Sequence, residues 1–307
     1  MAKRKFYGMK NDYMFKAVLQ SAEDVLRNLV VVLLEIDEAY ITSCSIKNTI
    51  ELGKSVDSKD CVLDVKLEIN NNEIVDLEIQ VRNEHNWPER SLLYWSREYD
   101  DLKTGQDYKE LKKTYHIGIL DFTLFEDNPE FYAEYKIQDT KTGYVYTDKL
   151  NIRILDLTKV EEAGENINLQ LVKWAKVFGA KTMEELEQLA DTEEVFESMV
   201  THLKELSEDE KIRQQCAARD DYERRLIGEY NRGERDGIEA GKEIGEKIGK
   251  EIGKEIGKQI GKEIGKEIGR LEAIKNIMKS LDCTADRAMD ILLIEDDDRA
   301  ILIEKLK

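Results

Sequence analysis

The segment that most constrains the fold is residues 64–80, DVKLEINNNEIVDLEIQ, in which two runs with a two-residue period flank three asparagines. Apolar and polar residues that alternate over short runs are typical of half-buried β-strands. Asparagine tolerates the left-handed backbone conformation that short hairpin loops use. The segment therefore predicts a β-hairpin with one apolar and one charged face. The charged face carries Asp64, Lys66, Glu68, Asp76, Glu78 and Gln80.

Two registers keep the charged residues of this hairpin on one face. A three-residue loop at residues 70–72 places Asp64 opposite Glu78, whereas a slip by two residues places Asp64 opposite Gln80. A slip by one residue is excluded because it would bury the charges in the core. Directly opposed side chains have Cβ atoms about 4.5–5.5 Å apart, so facing carboxylates repel each other by roughly 0.2–1 kcal/mol.

A divalent cation would turn this repulsion into binding. Mg²⁺ or Mn²⁺ would use Asp64 and Glu78 as oxygen ligands and could activate a water molecule for attack on a phosphodiester. Gln80 could orient that water or a phosphate through its amide, but it cannot take up a proton. The competing interpretation is an ordinary solvent-exposed strand face in which Lys66 neutralises Asp76, and the spacing alone favours this second interpretation.

Helical and strand-like segments surround the hairpin. Residues 11–37 predict one helix or two helices with a break near Ser21, residues 89–105 predict a further helix, and residues 167–235 return to helical spacing. Short apolar or alternating runs predict four more strands. These runs are YHIGILDF, FYAEYKIQD, YVYTDK and LNIRILDL.

The last third of the chain is a repeat tract. Glycine recurs at every fourth residue from Gly237 to Gly269, and isoleucine does so from Ile244 to Ile268. Four residues advance a helix by about 400°, so each stripe shifts by about 40° per repeat and an ordinary coiled coil is not specified. Each glycine costs a helix about 1 kcal/mol relative to alanine, while i,i+3 charge pairs return only about 0.2–0.5 kcal/mol. We therefore expect a marginal helix that serves as a spacer or extended arm rather than as a specific packing interface.

Composition excludes several classes of protein. A net charge of −18 argues against passive coating of nucleic acid, although MAKRK and Lys10 leave room for a local basic surface. The four cysteines are scattered without CxxC spacing, which indicates neither a zinc site nor a disulfide framework and fits a reducing cytoplasm. No run has the length or flanks of a signal peptide or membrane span. We expect a cytoplasmic protein without a membrane segment.

The order of these segments resembles the Rpn branch of the PD-(D/E)xK nuclease superfamily, the recombination-promoting nucleases also called PD-(D/E)xK family transposases. The matching pieces are NDYMFKAVL, LDVKLEI, VDLEIQ, ERSLLYWSREYDDLKTGQDYKELKKTYHIGILDF and the glycine-isoleucine repeat ahead of a small helical region. The resemblance implies an α/β fold with a restriction-endonuclease-like core, in which helices flank a central mixed β-sheet. It also implies cleavage of DNA that depends on Mg²⁺ or Mn²⁺.

The resemblance assigns roles to individual residues. Asp64 matches the metal-binding aspartate, Glu78 the second acidic ligand, and Gln80 the position where the wider superfamily usually has lysine. Because Gln80 stands in place of this lysine, the resemblance does not say which group activates the water. Asp12 is a candidate third carboxylate near the site, but a competing role as the N-cap of the first helix is the stronger expectation. The candidate contacts to DNA phosphates are Arg90, Arg97 and Lys103.

Four regions follow from this interpretation. They are a catalytic domain at 1–160, a helical region at 161–236, the repeat tract at 237–269 and a small C-terminal helical region at 270–307, expected to hold three short helices. An enzyme that cuts both DNA strands usually works as a pair of sites, so we expect a homo-oligomer. Two alternatives remain open: a non-catalytic scaffold that retains the fold, and a transposase that joins DNA ends.

Overall fold

A computed structural model describes residues 5–48, 65–99, 102, 105–164, 167–191 and 193–306. The chain forms two compact units, which we call the sheet unit (Met1–Leu226) and the helical unit (Ile227–Lys307). Within these described ranges, no helix combines the length and the apolarity that a membrane span requires. The boundaries of the four regions expected from the sequence stay a prediction.

Six strands of the sheet unit form one mixed sheet in the order β1-β2-β3-β4-β6-β5. The pairs β3-β4 and β4-β6 are parallel, and the other neighbours are antiparallel. The central mixed sheet flanked by helices is therefore confirmed, although YVYTDK contributes only a single bridge, between Val145 and Gln138. The strands are β1 (Cys44–Ile46), β2 (Val65–Ile69), β3 (Glu73–Gln80), β4 (Lys113–Leu120), β5 (Tyr132–Tyr135) and β6 (Leu150–Asp156).

Among its described residues, the sheet unit contains six α-helices and the beginning of a seventh. The break expected near Ser21 is confirmed, because Ala22 between the first two helices has an extended backbone with φ −125° and ψ 93°. The six are α1 (Asp12–Ser21), α2 (Glu23–Leu34), α3 (Trp87–Tyr99), α4 (Leu169–Gly179), α5 (Met183–Ala190) and α6 (Glu194–Glu208).

The β2-β3 hairpin has the three-residue loop that the asparagines predict. Ile69 pairs with Glu73. Asn70 and Asn71 adopt left-handed backbone conformations, with φ 53° and 54°. The Asn70 side-chain oxygen also accepts a hydrogen bond from the Thr42 backbone N–H at 2.7 Å. Turn chemistry and a contact to the preceding loop therefore fix the register together.

The two faces of the sheet are covered by different helices. One face packs into the main core with α1, α2, α4 and α6. On the opposite face, Trp87 of α3 packs with Leu120 of β4 and with residues of β6. Trp87 comes so close to β4 that a Cβ on Gly118 would lie 2.3 Å from its ring, so glycine is required there. As a result, the charged side of β3 faces a helix rather than open water.

The helical unit contains the repeat tract. Helix α7 (Glu210–Leu281) begins in the sheet unit, where Ile212 and Cys216 are buried, and continues through the whole tract. The tract is therefore an extended helix. The end of α7 packs with α8 (Ala285–Ile291) and α9 (Asp296–Leu306) around a small apolar cluster, so the first of the three expected short helices is the last part of α7.

Candidate active site

The charged side of β3 is buried. Asp76, Glu78 and Gln80 occupy alternate positions on the strand and are only 7%, 1% and 9% exposed. The interpretation of a solvent-exposed charged face is therefore wrong for these three positions. The physical reason is that β3 lies inside the sheet between β2 and β4, and α3 packs against β4 on the same side.

His116 of β4 supplies a positive charge to this buried face. It lies beside Asp76 in the parallel register, and its Nδ1 is 2.9 Å from Asp76 Oδ2. Its Nε2 is 3.5 Å from Glu78 Oε2. Burial alone would lower the pKa of His116, but the hydrogen bonds and negative charges of Asp76 and Glu78 outweigh burial and raise that pKa to about 9. At neutral pH the imidazole is therefore a cation between two carboxylates.

Arg90 of α3 supplies the second positive charge. Its Nη2 lies 2.8 Å from Glu78 Oε1, and its Nη1 lies 3.7 Å from Glu84 at the surface. The guanidinium also stacks over the Tyr94 ring, with 5.2 Å between its central carbon and the ring centroid. Glu78 is thus held from both sides, and the charges of Asp76 and Glu78 are balanced by His116 and Arg90. These two cations compensate the buried charges of Asp76 and Glu78.

Two oxygen atoms at this face are suited to bind a cation. Both are buried: Gln80 Oε1 has no hydrogen-bond partner among the described residues, and Glu78 Oε2 has only the His116 imidazole nearby, at 3.5 Å. Carboxylate and amide oxygens are ligands that Mg²⁺ and Mn²⁺ accept. No group of three or more His, Cys, Asp and Glu side chains that could hold a metal occurs in the described part of the chain. Asp64, the other predicted ligand, lies outside the described residues.

The register of the described hairpin residues supports the predicted pairing of Asp64 with Glu78. The described pairing of the hairpin extends to Val65 opposite Leu77. In the sequence, Asp64 directly precedes Val65 and Glu78 directly follows Leu77. Of the two registers considered from the sequence, the pairing of the described residues is the one with the three-residue loop. The placement of Asp64 itself stays a prediction.

A lysine lies at the end of β3. The Gln80 carbonyl accepts a hydrogen bond from the Asp121 backbone N–H at 2.9 Å. The Asp121 carboxylate is in turn bound by Lys10 Nζ at 2.6 Å. Lys10 is partly exposed, and its link to the Gln80 backbone runs through Asp121.

Asp12 does not cap the first helix. The N-cap of α1 is Asn11, whose side-chain oxygen accepts from the Met14 backbone N–H at 3.1 Å. The capping prediction for Asp12 is wrong because the extended residue at the helix start is one position earlier. Asp12 instead pairs with Arg219 of α7; burial raises the pKa of Asp12, and Arg219 only partly opposes this rise. Its role as a third carboxylate stays a prediction.

The three candidate DNA contacts are placed differently. Arg90 is 30% exposed at its side chain and reaches inward to Glu78. Arg97 is exposed on the same helix. Seven residues separate the two, which is close to two full turns, so they share one side of α3. Lys103 lies outside the described residues.

Sequence reasoning missed His116 and the part played by Asp76. His116 is one of three histidines that are far apart in the sequence, and no motif connects it to the hairpin. The available signal was the run YHIGILDF, where alternation puts His116 and Gly118 on one face of a buried strand. Only parallel pairing of that strand with β3 brings His116 to Asp76, and local patterns do not specify this pairing.

Comparison with known proteins gives one match. The family model described as PD-(D/E)XK nuclease family transposase matches residues 9–227, which is more than half of the chain. No curated protein and no solved structure matches. The matched region contains the buried charges of β3, β4 and α3 and ends next to the boundary of the sheet unit at Leu226.

Proposed function

The chain belongs to the PD-(D/E)XK nuclease family transposases, and from this premise we propose that it is a metal-dependent endonuclease that hydrolyses phosphodiester bonds in DNA. The family supports a nuclease-like or transposase-related function. Glu78 carries the finer proposal, because it is a buried carboxylate at the position of the family's second acidic ligand. Its Oε2 atom faces the His116 imidazole at 3.5 Å and has no closer hydrogen-bond partner among the described residues.

Asp64 and Glu78 would hold Mg²⁺ or Mn²⁺ through their carboxylate oxygens. A bound ion would supply Lewis-acid activation of a water molecule at neutral pH. His116 and Arg90 position the Glu78 carboxylate from two sides. Arg90, which also pairs with Glu84, lies on the side of α3 that carries Arg97, and a DNA phosphate could contact this side of the helix.

Gln80 has a limited role in this chemistry. Its amide can donate and accept hydrogen bonds, so it can orient the attacking water or a phosphate oxygen. It cannot accept the proton that the water loses. Lys10, close to the Gln80 carbonyl through Asp121, is a cation that can stabilise negative charge on a phosphate. The proton acceptor is therefore a group other than Gln80.

A non-catalytic scaffold is the second candidate function. One observation favours it: His116 and Arg90 already balance Asp76 and Glu78 without any added ion. A protein that had lost catalysis could retain such a cluster as part of its core. A third candidate, strand transfer, would use the same site but would join DNA ends.

Nicking of supercoiled plasmid DNA in Mg²⁺ or Mn²⁺ distinguishes these candidates. We expect the parent chain to nick the plasmid, and Asp64→Ala and Glu78→Ala to reduce nicking to background. Glu68→Ala is the matched control, because Glu68 is a carboxylate on the neighbouring strand that pairs with Lys47 and Lys112. This control is expected to retain activity.

The outcomes of this experiment distinguish the three candidate functions. Circular dichroism and a cooperative thermal transition must show that each variant is folded before its activity is compared. No nicking by the parent under any divalent ion would support the scaffold instead. Joined products from two DNA molecules would support strand transfer. Equal loss in Glu68→Ala and Glu78→Ala would indicate damage to the hairpin rather than loss of a metal ligand.

A further inference from the structure

A short hairpin that follows β5 is exposed along its whole length. Residues 137–146 form two antiparallel segments, with a bridge between Gln138 and Val145, and all ten residues are exposed. Two of the side chains are large aromatics, because Tyr144 and Tyr146 are 76% and 81% exposed. Exposed apolar groups that lie together on an ordered element indicate an interaction site. We call this segment the tyrosine hairpin.

Hydrogen bonds within the turn order the tyrosine hairpin. Asp139 Oδ1 accepts from the backbone N–H groups of Lys141 and Thr142 and from the Thr142 hydroxyl, at 2.7–2.9 Å. Gly143 has a φ of 71°, and its N–H donates to the Asp139 carbonyl at 2.9 Å. A two-stranded hairpin is marginally stable at best, so the turn supplies order where burial supplies none. The two tyrosines are thus carried by an ordered turn.

A third exposed tyrosine lies on an adjacent turn. Tyr108 is 83% exposed at the start of the short turn Tyr108–Glu110. Lys149, three residues after the tyrosine hairpin, donates from Nζ to the Lys109 carbonyl of this turn at 2.9 Å. The lysine therefore ties the two exposed segments together.

The charges around these segments favour a polyanion. Between residues 136 and 149 the chain has three lysines and two aspartates, although its net charge is −18. Asp139 and Asp107 are directed at backbone N–H groups of their own turns. In the described part of the chain, Lys109 and Lys141 are exposed and pair with no carboxylate. Lysine is depleted at protein–protein interfaces, so tyrosine with unpaired lysine fits nucleic acid better than a protein partner.

The tyrosine hairpin lies on the same side of the sheet as Glu78. Tyr135 of β5 packs with the apolar cluster between the sheet and α3. Alternation along the chain puts Ile137 on that side as well. The Ile137 carbonyl accepts from the Tyr146 N–H at 2.9 Å, so these two residues are direct cross-strand neighbours. Tyr146, and Tyr144 two residues earlier, therefore face the α3 side.

Helix α3 runs from the candidate metal site toward the tyrosine hairpin. It begins at Trp87, which contacts Gly118, and its Tyr94 ring lies 6.1 Å from the ring of His116, earlier on β4. Arg97 lies one turn beyond Tyr94 in the direction of the hairpin. With about 3.3 Å per strand residue and about 4.8 Å between strands, the hairpin is roughly 20 Å from the metal site. One turn of B-DNA spans about 34 Å, so a single DNA molecule can reach both places.

We propose that the tyrosine hairpin binds unpaired bases of the DNA substrate, with Tyr144 and Tyr146 stacked on bases and with Lys109 and Lys141 at phosphates. This inference rests on the proposed function, in which DNA is the substrate. Tyrosine rings stack on bases of any sequence. Bases inside a duplex already stack on each other, so the hairpin selects DNA that has a single-stranded stretch beside the duplex held at the metal site.

Fluorescence anisotropy with labelled DNA tests the stacking. The full-length chain is titrated in EDTA, so that binding is measured without cleavage, against a blunt duplex and a duplex with a single-stranded tail. We expect the parent to bind the tailed DNA more tightly. The double variant Tyr144→Ala, Tyr146→Ala should lose about tenfold or more of this affinity and bind the blunt duplex like the parent. Tyr144→Phe with Tyr146→Phe should bind like the parent, because the rings remain.

Val145→Ala is the matched control for damage to the hairpin. Val145 lies between the two tyrosines and points to the opposite side, so this variant should bind tailed DNA like the parent. Equal losses in Val145→Ala and in the double alanine variant would overturn the stacking role. A parent that binds both DNAs equally, or a double alanine variant that binds tailed DNA like the parent, would overturn the proposal in favour of a protein partner. If that parent still nicks plasmid DNA in Mg²⁺, the proposed function stands without this inference.

Salt dependence tests the phosphate contacts separately. Each phosphate contact to single-stranded DNA contributes about 0.7 to the slope of log affinity against log salt concentration. Lys109→Gln with Lys141→Gln should therefore lower the slope for tailed DNA by about 1–2. The double phenylalanine variant should leave this slope unchanged. A parental slope in the double glutamine variant would contradict the contacts of the two lysines.

Discussion

In the sheet unit, Asp76, Glu78 and His116 are almost fully buried, whereas in the helical unit seven isoleucines from Ile244 to Ile268 are about half exposed. The two regions thus invert the usual distribution of charged and apolar side chains. In the first, mutual pairing compensates the buried charges. In the second, no described group covers the apolar side chains.

The effect of removing a charge in this chain depends on whether that charge is buried. Buried charges depend on their partners, since removal of one leaves the other without compensation. Exposed charges along the repeat tract are solvated and individually contribute little. Matched substitutions in the two units should therefore differ most where a buried pair is broken, and least where a single small side chain is added.

The largest difference is expected from neutralising one carboxylate in each unit. Asp76→Asn removes the charge that pairs with His116, and we expect a loss of about 3–5 kcal/mol in the unfolding free energy of the sheet unit. Glu243→Gln breaks the exposed pair with Lys247, which spans 2.8 Å, and should cost less than about 0.5 kcal/mol in the helical unit. Urea unfolding can report the first loss through tryptophan fluorescence, because the Trp87 ring lies 5.5 Å from the His116 ring. Equal effects in both units would contradict the comparison.

The next effect is a pH dependence that the helical unit lacks. The pKa of His116 is raised from 6.5 to about 9, so its stabilisation is complete below pH 6.5 and is lost as pH rises through 9. The change is on the order of 3 kcal/mol over this window. All three histidines lie in the sheet unit. Urea unfolding of the sheet unit at successive pH values should show this fall, and His116→Gln should flatten it. Stability that is constant or rising between pH 6.5 and 9 would show that His116 is neutral.

The smallest difference in stability is expected from replacing glycine with alanine. Gly118→Ala should destabilise the sheet unit by about 1–3 kcal/mol, because the buried Trp87 ring occupies the space of the new methyl group. Gly164→Ala is the control in the same unit, since no described atom lies within 4 Å of its Cβ position and its φ is not positive. In the helical unit, Gly257→Ala should favour the helix instead. Thermal unfolding of each variant measures the sign, and a stabilising Gly118→Ala would disprove the close contact.

Local sequence determined the hairpin correctly. Strict alternation and the three asparagines specified its strands and the position of its turn, because turn chemistry and side-chain period act over a few residues. They left two registers open, and the structure has the one with the three-residue loop. The same patterns did not show what covers the charged face. That depends on the parallel pairing of β3 with β4 and on the docking of α3, which bring together residues about 40 positions apart, such as Asp76 and His116.

One local expectation failed for an identifiable reason. Asn11 rather than Asp12 caps α1, since both residue types suit the position and only the backbone conformation distinguishes them. The repeat tract is part of the continuous helix α7, as expected for an extended helix, and its marginal stability stays a prediction.

A crystal of the chain soaked in Mn²⁺ tests the central claim most directly, since anomalous scattering locates the ion and identifies its ligands. We predict one strong peak bound by the carboxylates of Asp64 and Glu78, with Gln80 beside it. Asp64 pointing away from Glu78, with Glu78 still bound only by Arg90 and His116 and no peak near it, would contradict the proposed metal site.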